Sequence, residues 1–361
     1  MNACLRLLAV FGLVLLALPA QADFAAGVAA YKQGRFGEAL DRFAPLAEAG
    51  DARAQFALGL LYDNGEGVAR DDATAFGWYR RAAEQGYAKA QYNLALMLER
   101  GRASAAAAGG EARDWYLRAA LRGNTDAVTR VHEYAGGGDV GAQRQLGRMY
   151  ALGQGVAKSP RDAYGWFAKA AAAGDAEAAF ALGVQCERGE GHLQSDEEAA
   201  RWYARAAAAG HPAARFNLAR LQRLGRGVGR DLEAARAGYE AAAEAGLVSA
   251  QLTLAMLFES GQGWPHDLAL ALAWYTRAAH NGSAEAQVNL AYLYAEGIGT
   301  AADPIEACAL LELALATRPA LAEDNHRLLC GALDGTTRAA VTARAAAYRA
   351  PAAETRLSAA P

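Results

Sequence analysis

The stretch GDARAQFALGLLYDNGEGV, residues 50–68, decides the fold. Counted from Gly50, an alanine four places on (Ala54), a leucine at eight (Leu58) and a glycine at nine (Gly59) make one stripe at helical spacing, small enough for another helix to come close. Gly65 stands where a left-handed C-terminal cap favours glycine, and Gly65-Glu66-Gly67 carries the chain through a turn. One helix and its turn are therefore legible in nineteen residues.

The same columns return along the chain. Opening glycines stand at Gly50, Gly86, Gly138, Gly174, Gly210, Gly246 and Gly282, and from Gly138 onward the step is 36 residues. Leu58, Leu94, Leu146, Leu182, Leu218, Leu254 and Leu290 follow at the eighth place, and a small residue follows each of them. A second helix carries Trp78-Tyr79, Trp115-Tyr116, Trp166-Phe167, Trp202-Tyr203 and Trp274-Tyr275, each pair followed by two alanines, a knob beside a slot. Asp71, Asp162 and Asp231 fall near the start of that helix, where an acid caps free amides and meets the positive end of the dipole. One helix pair cannot bury such faces alone, so neighbouring pairs must stack into a continuous core.

These columns resemble the Sel-1-like repeat, a branch of the tetratricopeptide superfamily, and are plainest in AQFALGLLYDNGEGVARDDATAFGWYRRAAEQG and AQRQLGRMYALGQGVAKSPRDAYGWFAKAAAAG. The resemblance implies an all-α fold, a right-handed superhelical solenoid of stacked antiparallel helix pairs. Seven copies occupy residues 50–318, and residues 23–49 resemble an ordinary tetratricopeptide helix pair, turning at Gly34, that caps the array. Residues 319–335 read as a C-terminal capping helix, and the alanine-rich end, 336–361, as frayed helix or disorder. The second copy departs from the pattern: it lacks the second turn glycine, runs on as GRASAAAAGGEARDWY, and is followed over 123–137 by one helix without a partner. That helix either kinks the stack or is tolerated as a neutral deletion.

The first residues bound the compartment. Arg6, an apolar run from Leu7 to Leu18 and the small residues ending Ala20-Gln21-Ala22 have the three-part layout of a secretory signal, with cleavage expected after Ala22. An uncleaved anchor is the alternative, although a spanning helix needs about 20 apolar residues. Export places Cys186, Cys308 and Cys330 in an oxidising compartment, the periplasm or the medium. Cys308 and Cys330 flank an expected turn near Arg318-Pro319-Ala320, where antiparallel helices could bring them level as a disulfide; Cys186 suits a buried small hydrophobe.

Reacting groups are sparse. The six histidines are scattered, with no pair four residues apart to share a metal, and the formal net charge of −3 is too small for a nucleic-acid binder. The acidic run with Glu187, Glu190, His192, Asp196, Glu197 and Glu198 reads as a loop and an acidic helix start rather than a cation site. The recurrent G-x-G has no preceding strand and no phosphate-binding lysine, and Asn281-Gly282-Ser283 fits a glycosylation acceptor only by coincidence with a repeat junction. No catalytic residue, metal or cofactor is expected. The alternative is a cell-wall or β-lactam hydrolase like the cysteine-rich relatives of this repeat, but their disulfide in each copy is missing.

In tetratricopeptide-like arrays the first helix of each pair lines a concave groove. The resemblance therefore implies a binding surface built from positions three, six, ten and thirteen of each copy, with Tyr92, Arg144, Arg148, Phe180, Phe216, Arg220, Arg223 and Tyr292 as its candidate anchors. Arginine beside aromatic rings suits interface anchors and carboxylate recognition. The expected partner is a protein or peptide, acidic in character, with a uronic-acid polysaccharide as the other option. The expected function is a non-catalytic scaffold or regulator in envelope signalling, secretion or polysaccharide assembly.

Overall fold

The computed structural model describes residues 23–102 and 109–349; the expected signal segment 1–22, part of the irregular turn of the second copy (103–108) and the last residues of the tail lie outside them. All regular elements among the described residues are helices. The described residues fall into two compact units, one from residue 23 to 178 with 190–192 and the other 179–189 with 193–349.

The first unit contains α1 (23–32), α2 (Phe36–Glu48), α3 (Ala52–Asn64), α4 (Asp72–Glu84), α5 (Ala88–Glu99), α6 (Gly109–Leu121), α7 (Thr125–Gly136), α8 (Val140–Leu152) and α9 (Pro160–Ala172). The division falls inside α10 (Ala176–Arg188). The second unit continues with α11 (Asp196–Ala208), α12 (Pro212–Leu224), α13 (Leu232–Glu244), α14 (Val248–Ser260), α15 (Leu268–His280), α16 (Ala284–Glu296), α17 (Pro304–Thr317), α18 (Pro319–Cys330) and α19 (Gly335–Arg349). First helices pack most extensively on their own second helices, as α3 on α4, α8 on α9, α12 on α13 and α14 on α15, and within each unit pairs pack on their neighbours, as α4 on α5 and α13 on α14.

The small residue nine places into each copy exists for the ring of the second helix. A Cβ on Gly59 would stand 2.5 Å from the Tyr79 ring, on Gly147 2.5 Å from Phe167, and on Gly183 2.5 Å from Tyr203, all far inside van der Waals contact. Those rings are buried with the paired alanines behind them, such as Ala82-Ala83 and Ala170-Ala171. The tryptophan beside each ring stays nearer the surface, carrying a cation one helical turn on: Arg81 over Trp78, Arg118 over Trp115, Lys169 over Trp166, Arg205 over Trp202 and Arg277 over Trp274, at 4.0–5.7 Å.

Capping follows the sequence with one change. Asp71 and Asp231 are N-caps, but Asp162 lies in the first turn of α9 and Ser159 caps that helix, its Oγ accepting from the Asp162 amide at 3.3 Å. Gly65 closes α3 at φ 73°, a conformation that favours glycine.

A column the sequence reading passed over joins the pairs. Gln55, Gln91, Gln143, Gln251 and Gln287, five places into their copies, are buried. Each donates its amide to a last-turn carbonyl of the preceding second helix: Ala47, Ala83, Ala135, Ala243 and Ala279 O, at 2.9–3.1 Å. Each of these carbonyls also accepts from the backbone N–H of the opening glycine, as Ala243 O does from Gly246 at 3.0 Å, and the glutamine amide is its second donor. Asn281 serves the same junction, donating to Gln251 Oε1 at 2.9 Å, so its side chain is engaged in packing.

The helix over Thr125–Gly136 is absorbed rather than left unpartnered. α7 packs between α6 and α8 and buries Ala127, Val131 and Ala135. Towards α8 it behaves as a second helix, offering the Ala135 carbonyl to Gln143, and towards α5 it behaves as a first helix, placing Arg130 on Glu99.

At the C-terminus the alanine-rich end is an ordered helix as far as Arg349, which departs from the expectation of fraying or disorder for that stretch. Val341 and Ala345 are buried, and the buried carboxylate of Glu306 on α17 binds both Arg344 and the Tyr348 hydroxyl (2.5 Å). The Tyr348 ring also stacks on His280 at 4.3 Å. Composition alone gave no sign of these anchors. Cys308 and Cys330 form a disulfide, while Cys186 lies buried outside it, its Sγ 3.8 Å from Glu198 Oε2.

Candidate functional site

The first helices use position thirteen for a carboxylate. Asp63, Glu99, Glu187 and Glu259 each accept a hydrogen bond from the buried tyrosine of their own second helix: Tyr79 at 3.3 Å, Tyr116 at 3.0 Å, Tyr203 at 3.0 Å and Tyr275 at 2.5 Å. Burial pushes these four phenols well above their ordinary pKa, which keeps them as donors. Where the ring is Phe167, position thirteen is Ala151, and in the last copy Leu311 faces the column that holds Ala295. An acid stands at position thirteen in four of the five copies whose second helix carries the tyrosine; beside Tyr239 the place is taken by Arg223. The loss of the acid where the hydroxyl is lost is a signal the sequence held for these carboxylates.

Three of the four carboxylates are neutralised by an arginine from the element that follows. Arg102 pairs with Asp63 and Asp72, Arg130 with Glu99, and Arg220 with Glu187, its Nη2 lying 2.6 and 2.7 Å from the two oxygens. Burial raises the Glu99 pKa, but the hydrogen bonds from Arg130, Tyr116 and Tyr134 outweigh it and hold the group below its ordinary value. Glu187 and Asp196, from the acidic run, are thus ion-pair partners of Arg220 and Arg226.

The sequence-predicted anchors divide accordingly. Tyr92 packs on Tyr116, Phe180 on Tyr203 and on His211, and Phe216 on Tyr239, with ring centroids 4.5–5.9 Å apart, so these rings are half-buried flanks of the core. Arg144 is held by Asp175 at 2.6 Å, and the same aspartate caps α10. Arg220 is spent on Glu187. Among the described residues Arg148 is exposed without an ion pair, and Arg223 likewise has none, although it lies against the Tyr239 hydroxyl. The Arg223 Nε is buried without a hydrogen-bond partner.

Arg223 and Tyr292 meet in one cleft of the second unit. Its volume is 590 Å³ and its walls come from α12, α14 and α16, with Met256, Glu259 and Asn289 between them and Asn325 of α18 at one side. Tyr292 is 56% exposed and Met256 50%. A smaller apolar hollow of 250 Å³ shares Tyr292 and runs out to Leu328 and Leu329. The cleft also carries the hydroxyls of Thr253 and Ser260. What it offers is a carboxylate, a guanidinium and apolar surface.

The sequence profile of the Sel1 repeat matches residues 52–87, 88–124, 140–175, 176–211, 212–247, 248–283 and 284–316, which is most of the chain. The chain belongs to the Sel1 repeat family. The Sel1 repeat profile leaves out 125–139, the helix that α7 occupies between two copies. A Sel1 repeat protein from Oxalobacter formigenes is 32% identical, with 86% of this chain and 87% of that one covered and a TM-score of 0.52. A protective antigen present in uropathogenic Escherichia coli strains, displaying an SLR fold, is 24% identical over 91% of this chain and 84% of that one, with a TM-score of 0.39. An immunity protein from Pseudomonas aeruginosa is 21% identical over 64% and 81%, with a TM-score of 0.33. No curated protein matches. Sel1 repeats generally serve as scaffolds for protein interaction, and no helix among the described residues is long and apolar enough to cross a membrane.

Proposed function

We propose that this Sel1 repeat protein is an exported, non-catalytic scaffold that holds a protein partner on the first-helix face of its second unit, in the periplasm. The observation that carries the reading is the cleft between α12, α14 and α16, where Met256 and Tyr292 stand exposed while Leu60, Leu96, Val184 and Arg220, their position-ten counterparts in other copies, are half-buried. Exposed large side chains around a cavity are the composition of an interface anchor. Leu328, 82% exposed at the edge of the adjoining hollow, extends the apolar surface. The Cys308–Cys330 disulfide supports an oxidising compartment, as does the leader-like start of the sequence. Envelope signalling, secretion and polysaccharide assembly all use such holders.

The test is in-cell photocrosslinking with probes at positions 256 and 292, and at 148 in the first unit as a comparison, followed by mass spectrometry and fractionation. One dominant protein caught from 256 and 292, with the chain in the periplasmic fraction, is the expected result. Capture of no protein from either position, by a folded helical sample, overturns the scaffold reading.

A further inference from the structure

We propose that the cleft between α12, α14 and α16 takes an arginine side chain from the partner polypeptide, its guanidinium seating on Glu259. The proposal rests on the scaffold reading and names the chemistry of the partner.

The chain itself shows what this carboxylate column accepts. Asp63, Glu99 and Glu187 are each bound by a tyrosine on one side and an arginine on the other. The arginines come from position ten of the following copy (Arg220), from position sixteen (Arg102), or from the inserted helix (Arg130). Glu259 has its tyrosine, Tyr275, but the two columns that would supply its arginine hold Tyr292 and Ile298. Among the described residues Glu259 has no ion pair, and the place beside it is open space.

A guanidinium fits that place better than an ammonium. Its planar fork can bridge the carboxylate while one face lies on the exposed Tyr292 ring, which turns the change from arginine to tyrosine at position ten into a platform. Arg223, without an ion pair and lining the same cleft, would repel a purely basic segment. An acidic residue near the arginine on the partner answers it, so the fitting segment carries both charges.

The experiment is peptide display against the purified full chain, followed by binding of the enriched peptides to variants. Enriched peptides should share an arginine with an acidic neighbour. Their binding should fall about tenfold or more in Glu259→Gln, which removes the charge, and in Tyr292→Arg, which supplies the guanidinium within the chain, while Lys158→Ala, in an exposed turn of the first unit, binds as the parent does. Helical circular dichroism checks that the variants are folded. Enriched peptides without arginine, binding indifferent to both substitutions, or no enrichment would overturn the arginine proposal. None of these results touches the scaffold reading, which stands or falls on crosslinking in the cell.

Discussion

Arg220 Nη2 lies 2.6 and 2.7 Å from the two oxygens of Glu187, and the same carboxylate accepts from the Tyr203 hydroxyl. An arginine on one helix pair is thereby tied to an acid and a tyrosine on the preceding one. Because the group is half-buried, removing one member leaves the others short of partners. Arg220→Ala should lower stability by about 1–3 kcal/mol, and a double-mutant cycle with Glu187→Gln should show strong coupling in chemical denaturation.

The junction glutamines should matter as much. Gln251 is buried and donates to the Ala243 carbonyl at 3.0 Å. Gln251→Leu keeps the volume but leaves that carbonyl without its side-chain donor, with an expected loss of about 1–3 kcal/mol in urea unfolding. Exposed Arg148→Ala is the control, with an expected change below about 0.5 kcal/mol.

The disulfide closes a loop of 22 residues in sequence separation. By the chain-entropy account a loop of that size contributes about 3 kcal/mol. Replacing both Cys308 and Cys330 by serine should lower the thermal midpoint. In the protein from Asp23 onward, iodoacetamide should label none of Cys186, Cys308 and Cys330 in the oxidised native state and Cys186 after denaturation, since that thiol is buried outside the disulfide.

Glu306 anchors the last helix through Arg344 and Tyr348. Glu306→Ala should release α19, read as faster amide hydrogen exchange over residues 335–349, with little change in α3 or α4 of the other unit. Uniform protection in that variant would contradict the anchoring role.

Acid should loosen the first unit at a defined place. Hydrogen bonds from Arg102 and then Arg70 hold the Asp72 carboxyl at about 2, below its ordinary 3.8. A group whose folded pKa is depressed stabilises the fold above its unfolded pKa and loses that contribution as pH falls through the folded value. The contribution is complete above about pH 4 and disappears towards pH 2. Asp72→Asn should therefore flatten the pH dependence of stability in that window, measured by denaturant midpoints, and leave its slope near neutrality unchanged.

The repeat, its helices and their turns were legible because they depend on local spacing. Leu58 and its counterparts, 36 residues apart except across the inserted helix, Gly59 beside it and Gly65 at the helix end announce themselves in one dimension. Site residues were less legible because rings on the same outward-counted face of the first helices can be half-buried or exposed. Phe216 and Tyr292 both look outward-facing by count, yet Phe216 packs on Tyr239 and Tyr292 faces the cleft. Arg144, Arg220 and Arg223 likewise read as one basic patch, but Asp175 and Glu187 occupy the first two.

By itself the sequence determined the helix pairs, their stacking order and the family, since each follows from which residues recur at helical and repeat spacing. Tertiary structure decided which charges remain available, how α7 replaces a missing pair, and that an alanine-rich end becomes a docked helix. Those outcomes depend on partners 22 to 42 residues away, such as Cys308 with Cys330 and Glu306 with Tyr348, and long-range contacts between particular side chains leave no period for a sequence to display.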